Sequence, residues 1–329
     1  MSSTAGRHVP GLDAVMSERR QLINVAYRLL GSLAEAEDAV QETYARWYAM
    51  SPQQQEAIAS PGAWLTTVAG RICLDLLGSA RARRESYVGQ WVPEPVPDRA
   101  EWPTGRPGGA DGGGDPADRV TLDESVDMAF LVVLEAMTPA ERVAFILHDV
   151  FRYPFAEVAA VVGRTPAACR QLATSARRRL RATRPDAAAT GARPAAAVVR
   201  EFKQAWEAKD IAALVGLLDP DATMIADGGG LVGAVLRPVV GAEAIARYLT
   251  ATGGRSTPRL TLLERSVNGR PGLVARFAGT TVTVAAFGLT GDRITHIWAV
   301  RNPDKLRPWN DAPPTATSPS TGDFLGMSE

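Results

Sequence analysis

Apolar residues recur at intervals of three and four along the first quarter of the chain, which predicts amphipathic helices. In QLINVAYRLLG this spacing stops at Gly31, a residue type that commonly ends helices. A second helix is expected after Ser32, an N-cap candidate with Glu35 three residues later, as in a capping box. A third opens at Ser60-Pro61, with serine at the N-cap and proline in the first turn. The chain is therefore expected to begin with a helical bundle.

Helices resume after a Pro/Gly-rich interval and end in a helix-turn-helix pattern, FAEVAAVVGRTPAACRQLATSARRRLR. A first helix from Phe155 to Val162 should stop at Gly163, and Thr165-Pro166 should begin the next. The apolar stripe of that next helix consists of Cys169, Leu172, Ala176 and Leu180. Its opposite side is basic and polar, which suits a DNA major groove. A hairpin with a solvated basic face is the alternative.

From Ala195 onward the period changes from helical to alternating. Two or three helices are expected among runs such as ATMIAD, LTLLERSV, TVTVAAFGL and ITHIWAVRN, which predict strands separated by Asn-Gly, Gly-Thr and Gly-Asp turns. Helices followed by an antiparallel sheet indicate an α+β domain. The Pro-, Thr- and Ser-rich tail from Asp311 is expected to be disordered.

Length and composition bound the function. A chain of 329 residues suggests two or three domains, and no apolar run reaches the roughly 18 residues of a membrane span. The N-terminus has no secretory pattern, and two cysteines, Cys73 and Cys169, fit a reducing compartment. The sequence therefore predicts a cytoplasmic protein without a metal, a cofactor or a membrane partner.

A net charge of zero hides a strong local asymmetry. Seven arginines and one acid lie between Phe155 and Arg184, whereas four acids and no base lie between Glu35 and Glu42. Such local charge is what phosphate binding requires. In WLTTVAGRICLDLLGSARARRE a further basic group could bind nucleic acid, pair internally with Asp75, or complement the helix dipole.

These segments together resemble bacterial extracytoplasmic-function (ECF) sigma factors, over roughly residues 11–184. AEDAVQETYARWY resembles the region 2.2 helix that binds the β′ clamp helices of RNA polymerase. PGAWLTTVAGRICLDLLGSARARRE resembles regions 2.3 and 2.4, which melt and read the −10 element, although Gly70 and Gly78 depart from the common pattern. The helix-turn-helix resembles region 4, which reads the −35 element. The resemblance implies promoter DNA and core RNA polymerase (β′ clamp helices and β flap) as partners.

Three short motifs resemble a subgroup with a fused C-terminal SnoaL-like (NTF2-like) domain. QWVPEPV resembles W-L-P-E-P with Val92 in place of leucine, DGGG at Asp227 to Gly230 is followed by Leu231 where the subgroup has lysine, and NPDKL is unchanged. The implied fold is multidomain: two all-α sigma domains, a region 2 bundle and a region 4 helix-turn-helix, precede an α+β cone of helices over a sheet. The implied role of that last domain is an intramolecular contact that controls the sigma domains in place of a separate anti-sigma factor.

The expected domains are a flexible N-terminus (1–10), region 2 (11–88), a linker (89–120), region 4 (121–184), a second linker (185–195), the SnoaL-like domain (196–310) and the tail (311–329). The expected −35 contacts are Arg164, Thr165, Arg170, Gln171, Thr174, Arg177 and Arg178. The expected −10 contacts are Arg71, Arg81, Arg83 and Arg84, and the expected polymerase contacts are Glu37, Asp38, Gln41 and Glu42. The expected regulatory contacts are Trp91, Pro93, Glu94, Pro95, Asp227, Gly228, Gly229, Gly230, Asn302, Pro303, Asp304, Lys305 and Leu306.

Two other functions stay open. A stand-alone helix-turn-helix regulator would bind promoters without polymerase. A SnoaL-type enzyme with a DNA-binding extension would need paired acid–base groups, and the only candidates are Asp227 and His296, without a partner at a suitable spacing. A small ligand in the SnoaL-like pocket stays open as a further partner. The sequence predicts a promoter-specificity factor that is not an enzyme.

Overall fold

The computed structural model describes residues 18–85, 87–97, 127–183, 193–252 and 260–310, of which 80–85, 183 and 252 are described by their backbone alone. The predicted flexible N-terminus, residues 101–115 of the predicted linker and the predicted disordered tail lie outside these residues. The described residues form two helical modules, a short linker segment (residues 87–97) and a C-terminal domain.

The first module contains four helices. These are α1 (Arg19–Leu30), α2 (Leu33–Tyr48), α3 (Pro52–Glu56) and α4 (Pro61–Glu85). Gly31 ends α1 in the left-handed region, with φ of 71° and its N–H bonded to the Tyr27 carbonyl. The Ser32 side chain caps α2 by accepting from the Glu35 amide. Helix α3 was not predicted, because its five residues bury no side chain and so carry no apolar pattern.

The second module contains the predicted helix-turn-helix. Its helices are α5 (Met128–Glu135), α6 (Pro139–Phe145, continued by a π-helical turn Ile146–Val150), α7 (Phe155–Val162) and α8 (Pro166–Thr183). Gly163 ends α7 with φ of 69°, as expected of a residue without Cβ strain. The Thr165 hydroxyl accepts from the Ala168 amide at 3.2 Å and caps α8. Cys169 and Ala176 of the predicted apolar stripe are buried.

The C-terminal domain is α+β, as predicted. Its helices are α9 (Ala195–Ala208), α10 (Ile211–Leu217), α11 (Ala242–Thr252) and α12 (Arg307–Asn310), the last preceded by a 3₁₀ turn at Pro303–Leu306. Its strands are β1 (Leu218–Asp227), β2 (Val239–Val240), β3 (Leu260–Val267), β4 (Arg270–Phe277), β5 (Thr280–Thr290) and β6 (Arg293–Val300). They form one sheet in the order β2-β1-β6-β5-β4-β3.

The expected antiparallel sheet is wrong at one pair. β1 runs parallel to β6, whereas the other pairs are antiparallel. The alternating pattern identifies the five longer strands but not their neighbours, and the chain between β1 and β6 contains α11 and four strands, β2 to β5. The sheet is therefore mixed.

Three apolar cores position these parts. One continuous core joins the two helical modules and includes Leu65 of α4 and Val161 of α7. A second lies between α9–α11 and one face of the sheet. A third covers the opposite face, where Val284 and Trp298 pack with Val92 of the linker segment and Met128 of α5. Val92 of the predicted Pro/Gly-rich linker is thus buried between the second module and the sheet. No helix within the described ranges is long and apolar enough to cross a membrane.

Candidate functional site

The predicted polymerase-binding residues occupy the outer face of α2. Glu37, Asp38, Gln41 and Glu42 are all exposed, and Glu42 makes only a surface ion pair with Arg46. The inner face, which includes Ala36 and Val40, is buried against the first module. An acidic face is therefore accessible to a basic partner.

The predicted −35 residues lie on the outer face of the helix-turn-helix. Those that are exposed are Arg164, Thr165, Arg170, Gln171, Thr174 and Arg178. Arg177 differs, because its Nε donates to Asp149 Oδ1 at 2.6 Å and its side chain is only 37% exposed. Binding of a phosphate by Arg177 would have to compete with this ion pair. The remaining array suits a polyanion.

The first module and the second module meet where α7 lies across α4. Arg71, a predicted −10 residue, donates from Nη2 to the Ala160 carbonyl near the end of α7 at 2.8 Å. Gly70 is buried beneath α7, and a methyl group there would lie 2.7 Å from Cγ1 of Val161. The backbone of α4 continues through Arg81, Arg83 and Arg84, whose side chains lie outside the described part of the structure. The contact therefore occupies one predicted DNA-binding residue.

A buried arginine reinforces the same interface. Arg142 of α6 is 3% exposed and donates from Nη1 to the Leu29 carbonyl of α1 at 2.9 Å and to Glu135 Oε1 at 2.8 Å. Its Nε donates to the Leu134 carbonyl. The Leu29 carbonyl belongs to the last turn of α1, where intrahelical donors are lacking. Arg142 was not predicted, because nothing in the local sequence marks a contact over this distance.

The linker segment is bound to the first module through Glu94. The Glu94 amide donates to the Gly31 carbonyl and its carbonyl accepts from the Tyr27 hydroxyl, both at 2.7 Å. Its carboxylate Oε2 accepts from the Leu33 amide at 2.8 Å and the Ser32 hydroxyl at 3.1 Å. Burial raises the pKa of Glu94, although these hydrogen bonds oppose the rise. A carboxylate from the linker segment thus caps α2.

The next residues of the linker segment are bound to the C-terminal domain. Asn268 lies in the turn between β3 and β4. Its side-chain Oδ1 accepts from the Val96 amide at 3.1 Å, and its backbone amide donates to the Val96 carbonyl. Its Nδ2 also donates to the Tyr27 hydroxyl at 2.8 Å. Trp309 Nε1 donates to the Pro95 carbonyl at 2.8 Å. The sequence marked Asn268 as a turn residue only, and it did not mark Tyr27 or Trp309.

Asp227 lies at the centre of the three predicted regulatory motifs, an arrangement we call the Asp227 junction. Its Oδ1 accepts from the Tyr87 hydroxyl at 2.6 Å and the Gly229 amide at 3.0 Å. Its Oδ2 accepts from the Val92 amide at 3.0 Å and Lys305 Nζ at 2.7 Å. Asp227 is fully buried. One carboxylate therefore connects the linker segment, the DGGG turn and the NPDKL segment.

The glycines of the DGGG turn let other residues approach closely. Gly229 has φ of 64°, and a side chain there would clash with the Asn302 amide. Leu231 is 63% exposed, and the cation beside Asp227 is Lys305, which also lies 4.2 Å from the centroid of the Trp91 ring. The junction therefore has its cation although position 231 lacks a lysine.

The other predicted regulatory residues fall into two groups. Those that are buried are Pro93, Pro95, Gly228, Asn302 and Leu306. Those that are exposed are Gly230, Pro303 and Asp304.

The C-terminal domain also contacts the second module directly. Asp127 caps α5 through Oδ1, which accepts from the Ala129 amide at 3.0 Å, and its Oδ2 pairs with Arg270 of β4 at 3.2 Å. Met128 is buried in the third core, on the face of the sheet opposite α9–α11. The second module and the linker segment therefore both contact the C-terminal domain at this face.

The two candidate acid–base residues do not share a site. Asp227 pairs with Val300 and Thr223 with His296, so about 13 Å of strand separates them. Burial lowers the pKa of His296, whose ring stacks on Trp298. The cavity between the helices and the sheet is apolar and about 30 Å³ in volume, enough for about one water. Ligand pockets are usually roughly ten times larger.

Comparison with known proteins bears on the whole chain. Sigma-70 region 2 matches residues 14–83 and Sigma-70 region 4 matches residues 127–180. The chain is 38% identical over 299 residues to the ECF RNA polymerase sigma factor SigJ of Mycobacterium tuberculosis (strain ATCC 25618 / H37Rv), covering 88% of this chain and 90% of the relative. It is 34% identical to the probable ECF RNA polymerase sigma factor SigI of the same organism, covering 92% and 97%.

Solved structures agree with the sequence relatives. The crystal structure of Mycobacterium tuberculosis SigJ aligns with a TM-score of 0.67 and 35% identity, covering 92% of this chain and 99% of that chain. The similarity thus includes both helical modules and the C-terminal domain. The chain belongs to the extracytoplasmic-function family of RNA polymerase sigma factors.

Proposed function

We propose that this sigma factor directs core RNA polymerase to its promoters and that the C-terminal domain holds it in a closed, inactive conformation. The outer face of α2 would bind the β′ clamp helices, α4 would read the −10 element, and α8 would read the −35 element. The second module would also contact the β flap. The C-terminal domain would replace a separate anti-sigma factor.

The observation that carries the proposal is the direct packing of α7 on α4. The −10 and −35 elements lie about 25 base pairs apart, roughly 85 Å along B-form DNA. Two modules that share one apolar core, with Arg142 bound to the Leu29 carbonyl, cannot reach both elements at once. Promoter binding therefore requires the modules to separate.

The Asp227 junction is the contact through which the C-terminal domain stabilises the closed conformation. It ties Val92 and Lys305 together, while Asp127 and Arg270 tie the second module to the same sheet. A signal would shift the population from closed to open by stabilising the open form. A small ligand stays a prediction, because it would have to enlarge the cavity of about 30 Å³ in the cone.

Module separation can be measured by energy transfer between dyes on Gln53→Cys and Ala182→Cys, which are exposed on the first and the second module. The native Cys73 and Cys169 are buried, so the introduced thiols react first. We expect high transfer in the free protein and a large decrease when core polymerase and promoter DNA are added.

Run-off transcription from promoters of its own genome completes this test. We expect specific transcripts that depend on the protein, with a higher yield from Asp227→Asn than from the native chain. Unchanged energy transfer on a transcribing complex would contradict the closed conformation. Absence of any specific transcript from both proteins would contradict the proposed promoter function.

A further inference from the structure

Glu94 uses its backbone amide, its backbone carbonyl and one carboxylate oxygen on a single corner of the first module. Its amide, its carbonyl and its carboxylate contact Gly31, Tyr27, Ser32 and Leu33, which lie in the last turn of α1, in the connection to α2 and at the start of α2. Glu94 is 3% exposed, so these contacts are shielded from water. A linker segment that only connected two domains would not need so many contacts with the first module.

The neighbours of Glu94 contact the other side. Val92 binds Asp227, Pro95 accepts from Trp309, and Val96 pairs with Asn268 of the C-terminal domain. The linker segment thus has one face on the first module, centred on Glu94, and another on the C-terminal domain. Release of the C-terminal domain can break the second set of contacts while the first set stays intact.

The helix that Glu94 caps is the one with the proposed polymerase-binding face. Leu33 is the first residue of α2, and its amide has no intrahelical acceptor. The Ser32 hydroxyl accepts a hydrogen bond from the Glu35 amide, while the Glu94 carboxylate accepts one from the Leu33 amide. A carboxylate here also complements the positive end of the helix dipole. Glu37 and Asp38 follow in the next turn, so fraying of the first turn would displace them.

From this geometry we infer that Glu94 is a positioning residue for polymerase binding and that the linker segment remains part of the first module after the C-terminal domain has been released. The inference rests on the proposed role of α2. It assigns the linker segment two opposite effects: its contacts to Asp227 and Asn268 favour the closed conformation, and Glu94 supports the surface that binds polymerase once the chain has opened.

The test uses the full chain in an opened background, Asp227→Asn, with Lys305→Met as a second background should the first not fold. Glu94→Ala removes the cap, Glu94→Gln keeps one acceptor oxygen, and Glu56→Ala is the matched control on the exposed surface of the same module. The readouts are the Kd for core polymerase and the hydrogen-exchange rate of the Leu33 amide.

In the opened background we expect Glu94→Ala to raise the exchange rate at Leu33 about fivefold, the factor that corresponds to the loss of an average N-cap. The Kd for polymerase should rise about threefold to fivefold, with partial recovery in Glu94→Gln and no change in Glu56→Ala. A Glu94→Ala chain that binds polymerase as well as its parent would overturn the inference. If the opened background itself binds no better than the native chain, the proposed closed conformation fails instead.

Discussion

Asp227 and Lys305 form an ion pair of 2.7 Å in which the carboxylate is fully buried and the lysine side chain is 10% exposed. Removing one partner of a buried pair leaves the other charge without compensation, which costs about 3–5 kcal/mol. We expect Asp227→Ala to lower the free energy of unfolding by that amount in urea titrations. Run-off transcription should rise, because the lost contacts belong to the closed conformation.

Asp304 was expected from the resemblance to make a regulatory contact, but it is exposed and therefore provides the control within the same motif. It pairs with Arg307 at 2.7 Å, but the two side chains are 62% and 67% exposed. Water screens such a pair, so Asp304→Asn should change the free energy of unfolding by less than about 1 kcal/mol and leave transcription unchanged. Equal effects of the two substitutions would show that burial of the Asp227 junction is irrelevant.

Gly70 tests the contact between the two helical modules. Alanine is a better helix former than glycine by about 1 kcal/mol, so Gly70→Ala should stabilise α4 taken alone. Its methyl group, however, would lie 2.7 Å from Cγ1 of Val161 and would push α7 away. We expect a chain with a more stable first module, lower energy transfer between the modules and several-fold higher transcription.

Two further variants separate these effects. A methyl group at Gly78, on the same helix, would have no neighbour within 4 Å, so Gly78→Ala should give the gain in helix stability alone. Adding Val161→Ala to Gly70→Ala removes the clashing group and should restore the closed conformation. Activation by Gly78→Ala, or failure of the second substitution to reverse it, would point away from the α4–α7 contact.

The parts of this fold that the sequence predicted are those with local signals. Gly31, Pro61 and Gly163 lie at helix ends because capping geometry depends on a few adjacent residues. The parallel pairing of β1 with β6 has no such signal, since alternation shows which face of a strand is buried but not which strand lies beside it.

The candidate site divides in the same way. The spacing of apolar residues along α8 predicts which of its faces is exposed. The contact of Asp227 with the linker segment was expected from the resemblance. The contacts of Arg142 with Leu29 and of Glu94 with Leu33 join residues 113 and 61 positions apart. Arginine and glutamate are common on solvated surfaces, so the sequence alone does not indicate that Arg142 and Glu94 are buried.

Arg178 tests the proposed DNA contacts of α8, where it is exposed beside Gln171. If Arg178 binds a phosphate, Arg178→Ala should weaken promoter binding by the polymerase complex to a similar degree for all sequences. The slope of the logarithm of the binding constant against the logarithm of the salt concentration should become less negative by about one. Arg200→Ala, at an exposed position of α9, is the matched control. Filter binding at several salt concentrations measures the affinity and its salt dependence for both variants. An unchanged salt slope would remove Arg178 from the interface.

Glu94 should give the closed chain a measurable pH dependence. Burial raises its pKa above the ordinary value of 4.5, against hydrogen bonds from Leu33 and Ser32 that lower it. The folded chain therefore holds this proton more tightly than the unfolded chain does. The stabilisation that results is fully present below pH 4.5 and is lost as the pH rises through the raised pKa.

The substitution Glu94→Gln removes this titration and keeps an acceptor for Leu33. The free energy of unfolding of the variant, relative to the native chain, should therefore increase from pH 4.5 upward and level off once Glu94 is fully ionised. Urea unfolding at a series of pH values measures the difference, with Glu56→Gln as the exposed control. A difference that does not change with pH would mean that Glu94 has the same proton affinity in the folded and the unfolded chain.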